Sequence, residues 1–134
     1  MALRTGADIL DDAGVDTPRV DAEWLMTHVL DCPRPEMSLR HGEVLSEAQQ
    51  SQWDSFMAGR AARIPLQHLM GSADFCGLVL EVNETVLVPR PETELLAEQA
   101  WQWANAIEKP VVLDVGTGSG CLAIAIAVNC PRAE

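Results

Sequence analysis

The feature that most constrains this chain is a glycine-rich turn set between two apolar runs near its end. Val111-Val112-Leu113-Asp114-Val115 leads into Gly116-Thr117-Gly118-Ser119-Gly120, and Cys121-Leu122-Ala123-Ile124-Ala125-Ile126-Ala127-Val128 follows. The first run is short and β-branched, which suits a buried strand. The second is rich in Ala, Leu and Ile, which suits a buried helix. Glycines at alternate positions let the backbone turn tightly and approach a ligand, because no Cβ stands in the way. Strand, turn and helix together form half of a βαβ unit of the kind that binds nucleotides or nucleosides.

The turn has to be told apart from its competitors. A dinucleotide fingerprint, G-x-G-x-x-G, requires a third glycine where Cys121 stands, which argues against a nicotinamide oxidoreductase. A phosphate-binding loop needs Lys-Ser or Lys-Thr after its last glycine, and Cys121-Leu122 is found instead. The acid Asp114, two residues before the first glycine, distinguishes this loop from both. The plain structural alternative is a tight strand-to-helix turn that binds nothing.

Upstream, the pattern is helical. Residues 2 to 13 carry Leu3, Ala7 and Leu10 on one face and stop at Gly14. Thr17-Pro18 restarts a helix, Thr as N-cap and Pro in the first turn, with Asp21 and Glu23 at its positive end. Ala22, Leu25, Met26, Val29 and Leu30 then form a core stripe. A short helical piece around Glu36 to Arg40 ends at Gly42. Ser46 and Gln49 read as a capping box for a helix to about Arg63, with Trp53, Phe56, Met57 and Ala61 on one stripe. The pattern changes at Ile64-Pro65. The alternation Leu78 to Val82, a turn at Asn83-Glu84 and a returning Val86-Leu87-Val88 predict a β-hairpin. Pro91-Glu92-Thr93-Glu94 opens a further helix with Leu96, Ala100, Trp103, Ala104 and Ile107 on its buried face, and Pro110 closes it.

Composition narrows the chemistry. The net charge of −11, with Lys109 the only lysine, disfavours direct nucleic-acid binding and points to a small molecule or a protein partner. The four cysteines form no C-x-x-C pair and, with the histidines, no zinc-ligand spacing, so they read as reduced thiols of a cytoplasmic protein and no metal is expected. No signal peptide opens the chain, and the apolar run from Cys121 to Val128 is too short to span a membrane. His28 and His41 read as core-edge and surface residues, and His68 as a packing residue. The four tryptophans, Trp24, Trp53, Trp101 and Trp103, read as core or interface residues.

The D-x-G-x-G-x-G loop resembles the first motif of S-adenosylmethionine-dependent methyltransferases with a Rossmann-like fold. A wider pattern is more specific: Pro65-Leu66-Gln67-His68-Leu69-Met70-Gly71, then Phe75, then Val86-Leu87-Val88-Pro89-Arg90-Pro91-Glu92-Thr93-Glu94, then the glycine loop. In order and spacing it is similar to the protein-(glutamine-N5) methyltransferases that modify peptide chain release factors, the HemK or PrmC group. The resemblance implies an α+β fragment: a helical substrate-recognition bundle over residues 1–63, a β-hairpin linker over 64–90, and the first β-α unit of a Rossmann-like methyltransferase domain over 91–134. It implies S-adenosylmethionine as cofactor, bound by Asp114, Gly116, Thr117, Gly118, Ser119 and Gly120, and a release factor as protein substrate. Pro89 to Glu94 matches a segment bordering the family's active-site cleft.

The family's Asn-Pro-Pro-Tyr motif, which holds the substrate glutamine, has no counterpart in these residues. No catalytic residue is therefore assigned, and the chain reads as part of a longer enzyme that is inactive alone. Residues 111–134 are accordingly expected to be poorly ordered, or packed non-natively or against another copy, with Val111–Val115 a central strand deprived of its neighbours. The rival reading is a non-enzymatic helical protein-interaction domain with a vestigial cofactor loop.

Overall fold

A computed structural model describes residues 2–40 and 42–134, the side chain of Ser38 apart, so the reading of His41 lies outside the described residues. The chain forms two compact units, Met1–Met70 and Gly71–Glu134.

The first unit is helical: α1 Ala2–Asp12, α2 Pro18–Leu30, α3 Arg34–Met37 running into a 3-10 turn Ser38–Arg40, α4 Glu47–Ala61 and α5 Leu66–Met70. Its core gathers Leu10, Val15, Ala22, Leu25, Met26, Val29, Leu30, Trp53 and Met57, so the stripe expected on α2 is the buried one. Gly6 lets α1 close on α4, since a Cβ there would lie 2.3 Å from Trp53 Cζ2. The capping box is present: Gln49 N–H donates to Ser46 Oγ at 3.3 Å and Ser46 N–H to Gln49 Oε1 at 3.0 Å.

Three helices of this unit end alike. Gly14, Asp31 and Arg63 take left-handed φ of 72°, 46° and 70°. The next residue's N–H then reaches back five residues in each case: Val15 to Leu10 at 2.9 Å, Cys32 to Thr27 at 3.1 Å and Ile64 to Gly59 at 3.1 Å. Only the glycine announced itself in the sequence. Asp and Arg give no comparable local signal.

Three expectations for α2 change. Thr17 sits at the N-cap but accepts no capping bond; its hydroxyl donates to Asp21 Oδ1 at 2.8 Å. Asp21 is more than a dipole-favoured acid. It is buried, and its Oδ2 accepts Arg60 Nε of α4 at 2.7 Å. His28 is exposed rather than at the core edge.

The second unit has a two-stranded antiparallel hairpin, β1 Ser72–Phe75 with β2 Leu78–Glu81, and two helices, α6 Pro91–Asn105 and α7 Cys121–Asn129. Ala73 pairs with Leu80 and Phe75 with Leu78. The hairpin turn is at Cys76-Gly77, not at Asn83-Glu84, and residues 86–88 form no strand. Both turn residues have positive φ, 51° and 75°, the geometry a two-residue hairpin favours, and Gly77 adopts it without strain. Asn83 instead makes a local turn, accepting the Thr85 N–H on Oδ1 at 2.9 Å. Pro89 and Pro91 have no N–H to offer a ladder. Leu66–Met70, expected in the linker, is helical.

Phe75, Leu80, Ala97 and Ala125 form this unit's core, with Trp101, Cys121 and Leu122 against it. The buried face of α6 is Ala97, Trp101 and Ala104, whereas Leu96 and Trp103 are 55% and 66% exposed, contrary to expectation. The α7 prediction holds: α7 packs on α6, and Asn105 Nδ2 donates to the Asn129 carbonyl at 3.0 Å.

Residues 111–115 form no strand, and they are not buried on both faces. Val111, Leu113 and Val115 are exposed while Val112 and Asp114 are half-buried, a period of two without a full ladder. The backbone finds one neighbour: Val112 N–H donates to the Glu134 carbonyl at 2.7 Å, and Glu134 N–H to the Pro110 carbonyl at 3.0 Å.

Breaking the buried pair from one side strands the other charge. Asp21→Ala is expected to destabilise the helical unit by about 3 kcal/mol in urea denaturation, the low end for such a loss, because Arg60 keeps its bond to the Ile64 carbonyl. Adding Arg60→Met should recover part of that loss. Glu23 supplies a pH-dependent term. Arg34 foremost, then Arg19, hydrogen-bonds its carboxylate and holds its pKa below the usual carboxylate value. A lowered folded-state pKa gives stability that is present above the unfolded-state pKa and lost as pH falls through the folded one. Glu23→Gln should therefore lower the urea midpoint at neutral pH, and the two proteins should converge in acid.

Candidate functional site

The six residues singled out in the sequence come together at the entry to α7. Gly116, Gly118 and Gly120 have φ of 79°, 58° and 79°. A Cβ at Gly116 or Gly118 would meet nothing closer than 3.8 Å, so it is the backbone conformation and not crowding that requires glycine there. An L-residue in that conformation costs about 1–2 kcal/mol. The loop closes on itself: Thr117 Oγ1 donates to the Asp114 carbonyl at 3.2 Å, and Gly120 N–H donates to the Thr117 carbonyl at 2.9 Å. The Gly120 carbonyl then accepts the Ile124 N–H at 2.8 Å, which starts the helix. Thr117 is exposed and Ser119 half-buried.

Asp114 is the one unusual polar group. Its Oδ2 is buried and, among the described residues, has no hydrogen-bond partner. It shares a cavity of about 160 Å³ with Val112, Ala123, Ala127 and Glu134. Burying a carboxylate oxygen unpaired is unfavourable, so such a group marks a place where a donor or a cation would be gained. Just beyond it lies the positive end of α7, whose first N–H groups have no partners within the helix. A carboxylate beside a helix N-terminus suits a small molecule that carries both a cation and an anion.

The Pro89–Glu94 segment has a structural task. Pro91 opens α6, and Glu94 Oε1 accepts the Cys76 N–H at 3.0 Å, pinning the hairpin turn to the first turn of α6. The Cys76 thiol is pushed up in pKa, first by burial and then by Glu94, with Cys121 and Glu98 adding. The sequence reading missed the tie between Glu94 and Cys76, and no spacing rule would have found it. All four cysteines are free thiols. His68 is half-buried in α5. Among the tryptophans, Trp53 is buried, while Trp24 is 38% exposed under the Arg34 guanidinium, 5.5 Å from its ring centre. Among the described residues no three or more His, Cys, Asp or Glu side chains gather as a metal site, and no helix is long and apolar enough to cross a membrane.

Comparison with known proteins gives consistent matches. Residues 1–71 match the family model described as the PrmC N-terminal domain. A release factor glutamine methyltransferase of Deinococcus radiodurans is 47% identical over 126 residues, covering 93% of this chain and 45% of the relative. One of Mycolicibacterium smegmatis is 42% identical, covering 99% and 46%, and one of Bordetella pertussis is 39% identical, covering 95% and 46%. The chain thus spans somewhat less than half the length of the curated relatives it matches.

Glu94→Gln should weaken the tie to the hairpin turn and remove a negative charge from beside Cys76. Amide exchange at Cys76 is expected to speed up. Its thiol should alkylate modestly faster at pH 8, because the raised pKa moves back toward its ordinary value while burial, the larger cause, remains.

Proposed function

Because the chain belongs to the PrmC N-terminal domain family, we propose that it is the first part of an S-adenosylmethionine-dependent methyltransferase acting on the side-chain amide nitrogen of a glutamine in peptide chain release factors. The observation that carries the cofactor reading is the buried, unpartnered Oδ2 of Asp114 at the foot of the glycine loop. The residues present fit that group: a carboxylate for the ammonium of its amino-acid end, and the N-terminus of α7 for its carboxylate. Gly116, Thr117, Gly118, Ser119 and Gly120 would form the wall that its backbone-hugging part approaches.

Bound there, S-adenosylmethionine supplies an electrophilic methyl group on a sulfonium. This chain's own residues would hold and orient that group, and the loop N–H groups and Asp114 would replace its hydration shell. The amide nitrogen that accepts the methyl is a poor nucleophile, so orientation matters more than acid-base chemistry, and no residue here is assigned a catalytic role.

The architecture reading follows the same line. The paired bonds of Val112 and Glu134 on either side of α7 support reading 111–134 as the opening of a parallel β-α-β unit, the start of a Rossmann-like domain. The helical bundle of residues 1–63 would recognise the protein substrate, 64–90 would link, and 91–134 would begin the methyltransferase domain. A cytoplasmic location goes with four free thiols and an intracellular substrate.

A second reading draws on a different observation. The helical unit has a core of its own, distinct from that of the glycine-loop unit, as a non-enzymatic interaction domain with a vestigial loop would. The test is a chimera in which residues 1–134 replace the matching part of the Deinococcus radiodurans relative, assayed with a purified release factor and labelled S-adenosylmethionine. Label on a glutamine side chain is expected, and binding without methyl transfer would favour the second reading. Asp114→Asn in the chimera should weaken cofactor binding by about 10- to 100-fold, the worth of one charged hydrogen bond. An unchanged affinity would remove Asp114 from the site.

A further inference from the structure

The helical unit carries a feature that the cofactor reading leaves unused. Between α1 and α4 lies a surface groove of about 520 Å³. Its floor is apolar, made by Ile9, Trp53 and Met57, and its rim carries Thr5, Gln50 and Asp54. Ile9 is 44% exposed there. The walls are fixed in place: α1 and α4 approach so closely at Gly6 that Trp53 and Met57 fill the space of a Cβ. An occupant would find the groove preformed and need move little to enter it.

The charge around the groove is mostly negative, with Arg4 on α1 and Arg63 just past the end of α4 the cations nearby in the sequence. Asp8 and Asp12 stand three residues on from Thr5 and Ile9, on the same face of α1, and Glu47 stands three residues before Gln50 on α4. All three are exposed, as is Asp54. Arg60, the only cation of α4, is turned away to Asp21. A second copy of this chain, at net charge −11, and a nucleic acid would both be repelled by such a rim. A basic protein segment would be attracted.

We propose that this groove is the docking site for the protein substrate. Its occupant is a segment of the release factor that seats one aliphatic side chain on Ile9, Trp53 and Met57 and sets Lys or Arg against Asp8, Asp12, Glu47 and Asp54. The inference rests on the substrate named above and adds the surface that would recognise it. It separates recognition from chemistry: the groove holds the substrate protein through residues far along the sequence from the glycine loop.

The test is binding of a purified peptide chain release factor to this 134-residue chain by titration calorimetry at low and moderate salt. Asp8→Lys and Asp54→Lys change exposed side chains, and circular dichroism checks that they fold. Each should weaken binding at least tenfold and flatten its salt dependence. Ile9→Ser should weaken it with the salt dependence kept. Glu36→Lys, exposed on α3 and not among the groove residues, and Glu84→Lys, exposed in the second unit, should leave it nearly unchanged. Equal weakening by all four charge reversals would overturn the proposal in favour of diffuse attraction. No binding by the wild-type chain would overturn it too, while methyl transfer by the chimera would still stand or fall separately. A dimer in sedimentation that Asp54→Lys dissolves would assign the groove to self-association instead.

Discussion

One buried carboxylate holds the terms on which the helical unit packs. Asp21 sits in the first turns of α2, accepts the Thr17 hydroxyl on one oxygen and the Arg60 guanidinium on the other, and so leaves neither oxygen unmet. The pair ties the start of α2 to the end of α4 across the apolar stripe of Leu25, Met26 and Val29. Its net worth against an apolar pair is small, since both groups give up water. Losing one partner costs far more, because it leaves the other charge buried and unpaired. The same pairing turns Arg60 away from the acidic rim of the groove.

The second unit is governed by backbone conformation rather than by charge. Three left-handed glycines carry the chain from residues 111–115 into α7 within five residues, and the small side chains Ala97 and Ala125 let α6, α7 and the hairpin share Phe75 as a common core. Glu94 holds the hairpin turn to α6, so Pro89–Glu94 positions structure as well as bordering the region in which the family resemblance places the cleft. Arg132 fastens the other end, donating from Nε to the Ile107 carbonyl at 3.3 Å and from its terminal nitrogen to the Asn105 carbonyl. Around this frame the exposed Val111, Leu113 and Val115 form an apolar edge, and Asp114 lies on the opposite side.

These two kinds of constraint divide the proposed labour. A preformed acidic groove on helices suits recognition of a protein by steering and shape. A glycine loop with an orphaned carboxylate suits tight enclosure of a small zwitterion. Each draws on the core of its own unit.

Sequence alone determined what is local. The Ser46–Gln49 capping box, Pro at the first helical position in α2 and α6, the α2 stripe and the strand-turn-helix pattern at Gly116–Gly120 all depend on residues within a turn or two, so spacing reveals them. The glycine loop was legible because only glycine takes those φ values cheaply. Tertiary structure decided the rest. Asp21 meets Arg60 from 39 residues away and Glu94 meets Cys76 from 18, and no periodicity carries such pairings. The hairpin turn fell at Cys76-Gly77 because Ala73 and Phe75 had a core to enter, whereas Val86-Leu87-Val88, between a local Asn83 turn and two prolines, had no strand to join. Leu96 and Trp103 face solvent because packing on α7 selected the alanine side of α6. Val111–Val115 has the composition of a strand, but a strand is completed by its neighbours, and among the described residues its backbone meets Glu134 and the Thr117 hydroxyl rather than a partner strand.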